Sequence, residues 1–128
     1  MAHGWLVDTD VLIDYLRGRP QASHWLEGLK PPLYISTLTI TELYAGVRDG
    51  EERERLNRFL EAFEWVNVNG EVAKQAGLYR RDFGKSHGTG IADAIIAACA
   101  QAVNATLATL NAKHFPMLNH VVRPYKKG

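Results

Sequence analysis

The segment GWLVDTDVLIDYLRG, residues 4–18, contains the first change from strand to helix in the chain. Gly4 to Val7 form a short apolar run, which predicts a buried strand that ends at Asp8. Apolar residues then recur with the period of a helix: Val11, Leu12, Tyr15 and Leu16. Gly18 and Pro20 mark the end of this helix. The segment therefore predicts a strand that runs directly into a helix.

Outward from this segment, strands and helices continue to alternate. Further strands are predicted at 33–36, 65–68, 106–109 and 121–122. Helices are predicted around 25–29 and at 38–47, 51–64, 71–83 and 91–103, with a short helical turn at 111–115. The glycine-punctuated stretch GKSHGTG, residues 84–90, is predicted to be a loop. Because parallel strands need crossover connections, this order indicates an α/β fold with a mostly parallel sheet covered by helices on both faces.

Length and composition favour one folded domain. The chain has 128 residues, of which 46% are hydrophobic and 23% charged, so we expect a single domain over residues 1–128. Its formal net charge is +1. Binding to a polyanion would therefore depend on a local basic patch and not on the charge of the whole chain.

The cysteine content and the apolar runs bear on location. Cys99 is the single cysteine, which excludes an intramolecular disulfide, and we expect it to pack in the core. The beginning of the chain lacks the pattern of a secretory leader, so we expect a cytoplasmic protein. No apolar run approaches the roughly 20 residues that cross a bilayer, which excludes a membrane span.

Four acidic residues are candidates for chemistry. Asp8 follows the first strand directly, Asp10 lies two residues later, and Glu42 falls in the helix after the second strand. Asp93 lies in the first turn of the alanine-rich helix among apolar neighbours, where a carboxylate needs a partner. In parallel sheets, functional groups gather where strands end and helices begin. Separate segments can therefore bring acids to one edge of the sheet.

A cluster of carboxylates indicates a bound cation. Two of them about 4 Å apart repel by roughly 4 kcal/mol at an effective dielectric constant of 20, unless one is protonated or a cation lies between them. Oxygen ligands without a histidine or cysteine set suit Mg²⁺ or Mn²⁺. Hydrolysis of phosphodiesters by metal-activated water is the natural chemistry of such a site.

Each acid also has an alternative interpretation. Asp8 or Asp10 can cap the first helix, Glu42 can lie on a solvated face, and Asp93 can interact with its helix dipole. The motif DTDV, residues 8–11, also fits the start of haloacid-dehalogenase-like phosphatases, in which the first Asp is a nucleophile. That family's downstream Gly-Asp-x-x-x-Asp motif is missing, since Ala92 precedes Asp93 and Ala97 follows four residues later.

Four motifs together resemble the PIN-domain family, and within it the VapC-type toxins. They are VDTDVLIDYL at 7–16, TLTITELYAGV at 37–47, IADAIIAA at 91–98 and LATLNAKHF at 107–115. The resemblance implies a three-layer α/β/α fold and an endoribonuclease that depends on Mg²⁺ or Mn²⁺. It also implies an RNA substrate, a VapB-like antitoxin as partner, and a homodimer.

By matched position, the resemblance makes Asp8, Glu42 and Asp93 the acidic metal ligands. Family members often have a fourth acid, where this chain has Asn111 or, three residues later, His114. The absence of that acid favours one bound ion over two. We also expect Thr109 to hydrogen-bond a ligand carboxylate, although an ordinary strand residue is the alternative.

A basic stretch and the missing acid leave two questions open. Arg80, Arg81, Lys85 and His87 are candidates for an RNA path, because phosphate contacts supply most nonspecific affinity; a solvated helix surface is the alternative. For the whole protein, the alternative to a hydrolase is a PIN-like domain that has lost activity and serves as a binding module.

Overall fold

A computed structural model describes residues 3–126 of the chain. Five strands are present in this range: β1 (Trp5–Val7), β2 (Leu33–Ser36), β3 (Glu64–Val66), β4 (Thr106–Ala108) and β5 (Val121–Val122). The helices are α1 (Thr9–Leu16), α2 (Pro20–Glu27), α3 (Thr37–Ala45), α4 (Glu51–Leu60), α5 (Gly70–His87) and α6 (Ile91–Ala102). A single 3-10 turn, Ala112–His114, lies between β4 and β5.

The five strands form one sheet in the order β3-β2-β1-β4-β5, and every neighbouring pair is parallel. The central strand β1 has Trp5 opposite Leu33 of β2 on one side and opposite Thr106 of β4 on the other. Along the chain, β2 and β3 extend the sheet on one side of β1, and β4 and β5 then extend it on the other side. The predicted mostly parallel sheet is confirmed.

Alternation of side chains along the strands separates two cores. Leu6 belongs to a cluster formed with α5 and α6, whereas its neighbour Val7 belongs to a cluster formed with α1 to α4. Successive residues of a strand point to opposite faces of the sheet, so each face receives its own apolar layer. Helices therefore cover both faces, and the expected three-layer α/β/α fold is confirmed.

The alanine-rich helix α6 is buried along its middle. Six of its side chains are almost inaccessible to solvent: Ala94, Ile96, Ala97, Ala98, Cys99 and Ala100. Small side chains let the helix backbone approach both the sheet and α5. The contact between α5 and α6 is more extensive than that between any other two helices of the described chain. Cys99 packs in this core, as the sequence predicts.

Helix α5 is longer than the sequence predicts. The prediction of a loop over residues 84–90 is wrong for residues 84–87, because the helix continues to His87. Gly84 costs the helix about 1 kcal/mol relative to alanine, but the side chain of Arg80 packs over it. The helix ends only at Gly88, whose φ of +68° is the left-handed conformation that favours glycine.

Other differences from the sequence prediction lie at the ends of elements. Helix α2 begins at Pro20, with proline in its first turn, which is five residues before the predicted start. Strand β3 begins at Glu64 and ends at Val66. Across residues 3–126, the structure has no helix with both the length and the apolar character to cross a bilayer.

The segment after β5 is fixed to α1 by a buried carboxylate. Asp14 has no exposed surface; its Oδ2 accepts a hydrogen bond of 2.8 Å from the hydroxyl of Tyr125, and its Oδ1 lies 3.3 Å from Nε of Arg19. Burial and the contact with Asp14 raise the pKa of Tyr125. This contact joins residues 111 positions apart in the sequence.

The hydroxyl of Tyr125 should therefore contribute measurably to stability. We expect Tyr125→Phe to lower the free energy of unfolding by about 1–3 kcal/mol, because the buried carboxylate loses a donor. Urea unfolding followed by circular dichroism measures the change. Tyr34→Phe is the matched control, since the Tyr34 hydroxyl makes no hydrogen bond within residues 3–126. Equal effects of the two substitutions would contradict this account.

Candidate active site

Asp8 lies at the switch point in the strand order of the sheet. It follows β1 directly, and its backbone N–H donates a hydrogen bond of 2.9 Å to the carbonyl of Ala108 in β4. β1 and β4 are the neighbouring strands from which the two halves of the sheet extend. Crevices at such switch points are where open parallel sheets bind ligands. Only 8% of the Asp8 surface is exposed.

The carboxylate of Asp8 has two hydrogen-bond donors and two acidic neighbours. Its Oδ1 accepts from the backbone N–H of Thr9 and its Oδ2 from the hydroxyl of Thr109, each at 2.8 Å. Burial, followed by repulsion from Asp10, raises the pKa of Asp8 to about 7; the hydrogen bonds oppose this shift, and Asp93 adds a smaller repulsion. Its negative charge is therefore poorly compensated.

Thr109 is the partner that the sequence suggested for a carboxylate. It is completely buried, donates to Asp8, and accepts from the backbone N–H of Asn111 at 3.1 Å. Its hydroxyl thereby joins the end of β1 to the turn that follows β4. Whether the carboxylate that it supports is a metal ligand stays a prediction.

Asp10 connects α1 to the same turn. Its Oδ1 accepts from the backbone N–H of Val11 at 2.8 Å, while its Oδ2 accepts from the backbone N–H of Leu110 and from Nδ2 of Asn111, each at 3.1 Å. The side chain of Asn111 is thus directed at Asp10. Asp10 was a predicted candidate for chemistry or helix capping, but its pairing with Asn111 was not predicted, since nothing local encodes a contact across 101 positions.

Asp93 lies in the first turn of α6. Its Oδ2 accepts a hydrogen bond of 3.1 Å from the backbone N–H of Gly90, which caps the helix. The same oxygen lies 3.2 Å from Nδ1 of His114. This approach is close but poorly aligned, since Nδ1 of His114 makes no hydrogen bond within the described chain. Asp93 therefore has a partner, as the sequence required, in the histidine at a fourth-acid position.

Thr89 holds the backbone of His114 by a hydrogen bond. Its side chain is completely buried, and its hydroxyl donates a hydrogen bond of 2.7 Å to the carbonyl of His114. The carbonyl of Thr89 in turn accepts from Nη1 of Arg80 at 3.1 Å. Thr89 was not among the predicted site residues; its one local signal is its position between Gly88 and Gly90, directly before α6.

Glu42 is exposed on α3, at the mouth of the crevice. Its Oε1 accepts a hydrogen bond of 2.7 Å from the hydroxyl of Thr9. Asp10 and Asp93 repel Asp8 electrostatically, whereas Glu42 is not among the groups that shift the Asp8 pKa. The structure thus brings Asp8, Asp10 and Asp93 together and sets Glu42 at the rim.

The four basic candidates lie on the last turns of α5. Arg80 is bonded to Thr89, and Arg81 pairs with Asp82 at 2.8 Å. Nδ1 of His87 lies 2.7 Å from the hydroxyl of Ser86. Lys85 is exposed and has no ion pair within residues 3–126. Arg80 thus supports the turn before α6, although all four of these side chains are exposed to solvent.

A groove of about 460 Å³ adjoins Glu42 between α1, α3 and α4. Apolar side chains line much of it: Ile13, Leu16, Leu43, Val47 and Leu56. Its charged lining consists of Glu42, Glu52 and three arginines, Arg17, Arg48 and Arg55. The groove combines an apolar floor with a mainly basic rim beside the candidate site.

The donor chemistry of this crevice fits a hard divalent cation. Its available ligands are carboxylate oxygens, which Mg²⁺ and Mn²⁺ prefer, and a cation would offset the charge that raises the Asp8 pKa. The side chains do not form a closed set of ligands, however. Among residues 3–126, no group of three or more His, Cys, Asp or Glu side chains is arranged as it stands to hold one ion.

Comparison with known proteins assigns the family. The PIN-domain model matches residues 5–118. The chain belongs to the PIN-domain family. This PIN domain is 40% identical over 123 residues to ribonuclease VapC10 of Mycobacterium tuberculosis, a match that covers 94% of this chain and 92% of the relative. Ribonuclease VapC19 of the same organism is 38% identical over 124 residues, with 94% and 98% covered.

A solved structure extends the comparison. A toxin–antitoxin complex from Klebsiella pneumoniae contains a chain that superposes on this PIN domain with a TM-score of 0.85. The two are 31% identical, and the superposition covers 97% of this chain and 100% of the other. The resemblance to VapC-type toxins is confirmed. The dehalogenase-like interpretation of DTDV loses its basis, because the PIN-domain model matches residues 5–118, which include this motif.

The raised pKa of Asp8 predicts the pH dependence of stability. Unfolded, Asp8 loses its proton near its ordinary pKa of 3.8, whereas the folded protein keeps it until about pH 7. In metal-free protein, its contribution to the free energy of unfolding is therefore complete below pH 4 and is lost as the pH rises through 7. We expect Asp8→Asn to unfold at a higher temperature than the wild type at pH 8, and the difference to disappear at pH 4.

Differential scanning fluorimetry across this pH range, with chelator present, measures the effect. Asp49→Asn is the matched control, because the side chain of Asp49 is 90% exposed in a surface ion pair, and such pairs contribute little. A stability difference between Asp8→Asn and wild type that stays constant from pH 4 to 8 would show that the charge on Asp8 is already compensated.

Proposed function

We propose that this PIN domain is the toxin of a VapBC-type toxin–antitoxin pair and an endoribonuclease that requires Mg²⁺ or Mn²⁺. The observation that carries the proposal is the poorly compensated carboxylate of Asp8 at the switch point of the sheet. Helix capping alone does not call for two further acids, yet Asp10 and Asp93 both repel the charge of this carboxylate. Kinship with proteins named as ribonucleases supports RNA as the substrate.

Asp8, Asp93 and Glu42 are the residues that would hold the ion. When bound, Mg²⁺ or Mn²⁺ activates water for attack on phosphorus and offsets the charge that develops on the phosphate. The protein's own residues orient the ligands: Thr109 fixes Asp8, and the N-terminus of α6 fixes Asp93 through Gly90. Supporting contacts of this kind set the direction of the lone pairs offered to a cation.

The fourth position favours a single ion. Asn111 donates from its Nδ2 to Asp10, which leaves its side-chain oxygen Oδ1 without a hydrogen bond inside the described chain and available to a ligand or a water. His114 lies against Asp93, where it can also donate to a phosphate when protonated. Neither group adds a negative charge, so a second cation would have fewer anionic ligands.

For the RNA path, we propose Lys85 and His87 at the end of α5. Both lie on the helix that directly precedes α6 and Asp93. Arg80 and Arg81 already have partners and would contribute less. An RNA substrate agrees with the cytoplasmic location that the sequence predicts.

For the assembly, we propose a VapB-like antitoxin and a second copy of this chain as partners. The groove beside Glu42 suits an antitoxin segment with apolar side chains, because much of its lining is apolar and Glu42 is part of it. Exposed Trp65 and Ile91, at 55% and 62%, are candidates for the contact between two copies. Each copy would be a single domain over residues 1–128.

Cleavage of RNA by purified protein tests the activity. We expect cleavage with Mg²⁺ or Mn²⁺ that stops on chelation and falls more than about 100-fold in Asp8→Asn and Asp93→Asn, beyond the 10–100-fold typical of residues that only support a ligand. Gel analysis of a structured RNA measures it. Asp49→Asn, which changes an exposed carboxylate in a surface ion pair, should cleave like the wild type.

The second candidate function is a PIN-like binding module without activity. The replacement of the fourth acid by Asn111 and His114 favours it. Isothermal calorimetry with Mn²⁺ distinguishes the two: a wild type that neither binds Mn²⁺ nor cleaves RNA would refute the hydrolase and leave the binding module.

The antitoxin proposal predicts that the groove is required for inhibition. We expect Val47→Asp to weaken the complex with the cognate VapB-like antitoxin by more than about 10-fold, because a charge on the apolar floor would be buried without a partner. Ala73→Asp, on the exposed surface of α5, is the control. Surface plasmon resonance measures both dissociation constants, and equal affinities would exclude the groove as the binding site.

A further inference from the structure

Glu42 is held by a pair of threonine hydroxyls. Its Oε1 lies 2.7 Å from Oγ1 of Thr9, and the same Oγ1 lies 2.9 Å from Oγ1 of Thr39. Thr39 is completely buried, whereas Glu42 is exposed. The three groups therefore form a row from the interior of the protein to the rim of the crevice.

The number of protons fixes the direction of this row. A carboxylate only accepts hydrogen bonds, and a hydroxyl has one proton to donate. Thr9 must therefore donate to Glu42, which leaves Thr39 to donate to Thr9. Each hydroxyl then polarises the next, and the strongest bond, the one to the charged group, lies at the outer end.

Thr9 connects two of the proposed metal ligands. Its backbone N–H donates to Oδ1 of Asp8 at 2.8 Å, while its side chain donates to Glu42. Glu42 lies 33 positions later, on another helix. One residue thus sets the orientation of the acid that caps α1 and an acid on α3 relative to each other.

Without the hydrogen bond from Thr9, the Glu42 side chain would be free to pair with arginines of the groove. Arg17, Arg48 and Arg55 line the same groove, and an exposed glutamate has the rotamer freedom to turn toward a guanidinium. In the structure, no ion pair joins Glu42 to any of them across residues 3–126. Its second oxygen, Oε2, makes no hydrogen bond in this range and stays open toward solvent or a cation.

We propose that Thr39 and Thr9 are positioning residues that hold Glu42 at the Asp8 end of the groove, with Oε2 available to the divalent cation. The inference rests on the proposed function. Thr9 acts on Glu42 directly, and Thr39 acts through Thr9 by directing its single proton outward. Neither threonine needs to touch RNA.

The test measures Mn²⁺ affinity by calorimetry and cleavage by steady-state kinetics. We expect Thr9→Val to weaken Mn²⁺ binding about 10–100-fold, the range for a residue that supports a metal ligand, and Thr39→Val to weaken it less. Thr39→Ser, which keeps the hydroxyl, should restore wild-type affinity. The kcat should fall while the KM for RNA stays unchanged, because the contacts to RNA are intact.

Glu42→Ala separates positioning from a general structural role. If the threonines act through Glu42, Thr9→Val and Thr39→Val will have no further effect on Mn²⁺ affinity in the Glu42→Ala protein. If each weakens binding by the same factor with and without Glu42, the inference is overturned while the proposed function stands. A wild type that does not bind Mn²⁺ or cleave RNA overturns the proposed function and this inference together.

Discussion

The buried carboxylate of Asp8, between the ends of β1 and β4, is the constraint on which the site depends. Its position follows from the pairing of the two strands, which sets Asp8 beside Thr109. Removing a carboxylate from water destabilises its charged form, and acidic neighbours add to that effect. A fold that retains such a group gives up stability at neutral pH, which is the usual mark of a functional site.

The N-termini of two helices, α1 and α6, interact with the acids of the site and lower the free-energy cost of their negative charge. Asp8 caps α1 through the N–H of Thr9, and Asp93 accepts from Gly90 at the start of α6. The positive end of a helix dipole favours anions there. The same acids are therefore suited to capping and to binding a cation, so the structural and functional interpretations of each acid are compatible. Their convergence on one crevice, in a PIN domain, is what separates this site from ordinary helix caps.

The fourth position shows how the rest of the site adapts to a missing acid. Asn111 is bonded to Asp10, and His114 lies against Asp93, so each replacement contacts a carboxylate and not open solvent. Negative charge is instead added two residues after Asp8, by Asp10 on α1. The arrangement keeps the crevice acidic with a different distribution of charge, and it leaves the orientation of Glu42 dependent on Thr9 and Thr39.

The sequence by itself determined the types of element and the identity of the acids. Periods of two and 3.6 residues are local, so the strand at 4–7, the amphipathic helix after residue 50 and the acids at strand ends could be predicted, and four motifs identified the family. Tertiary structure alone decided which side chains meet. The bonds from Asn111 to Asp10 and from Tyr125 to Asp14, which no motif suggested, span 101 and 111 positions. Such contacts depend on strand register and helix packing, and the local pattern of residues carries no record of either.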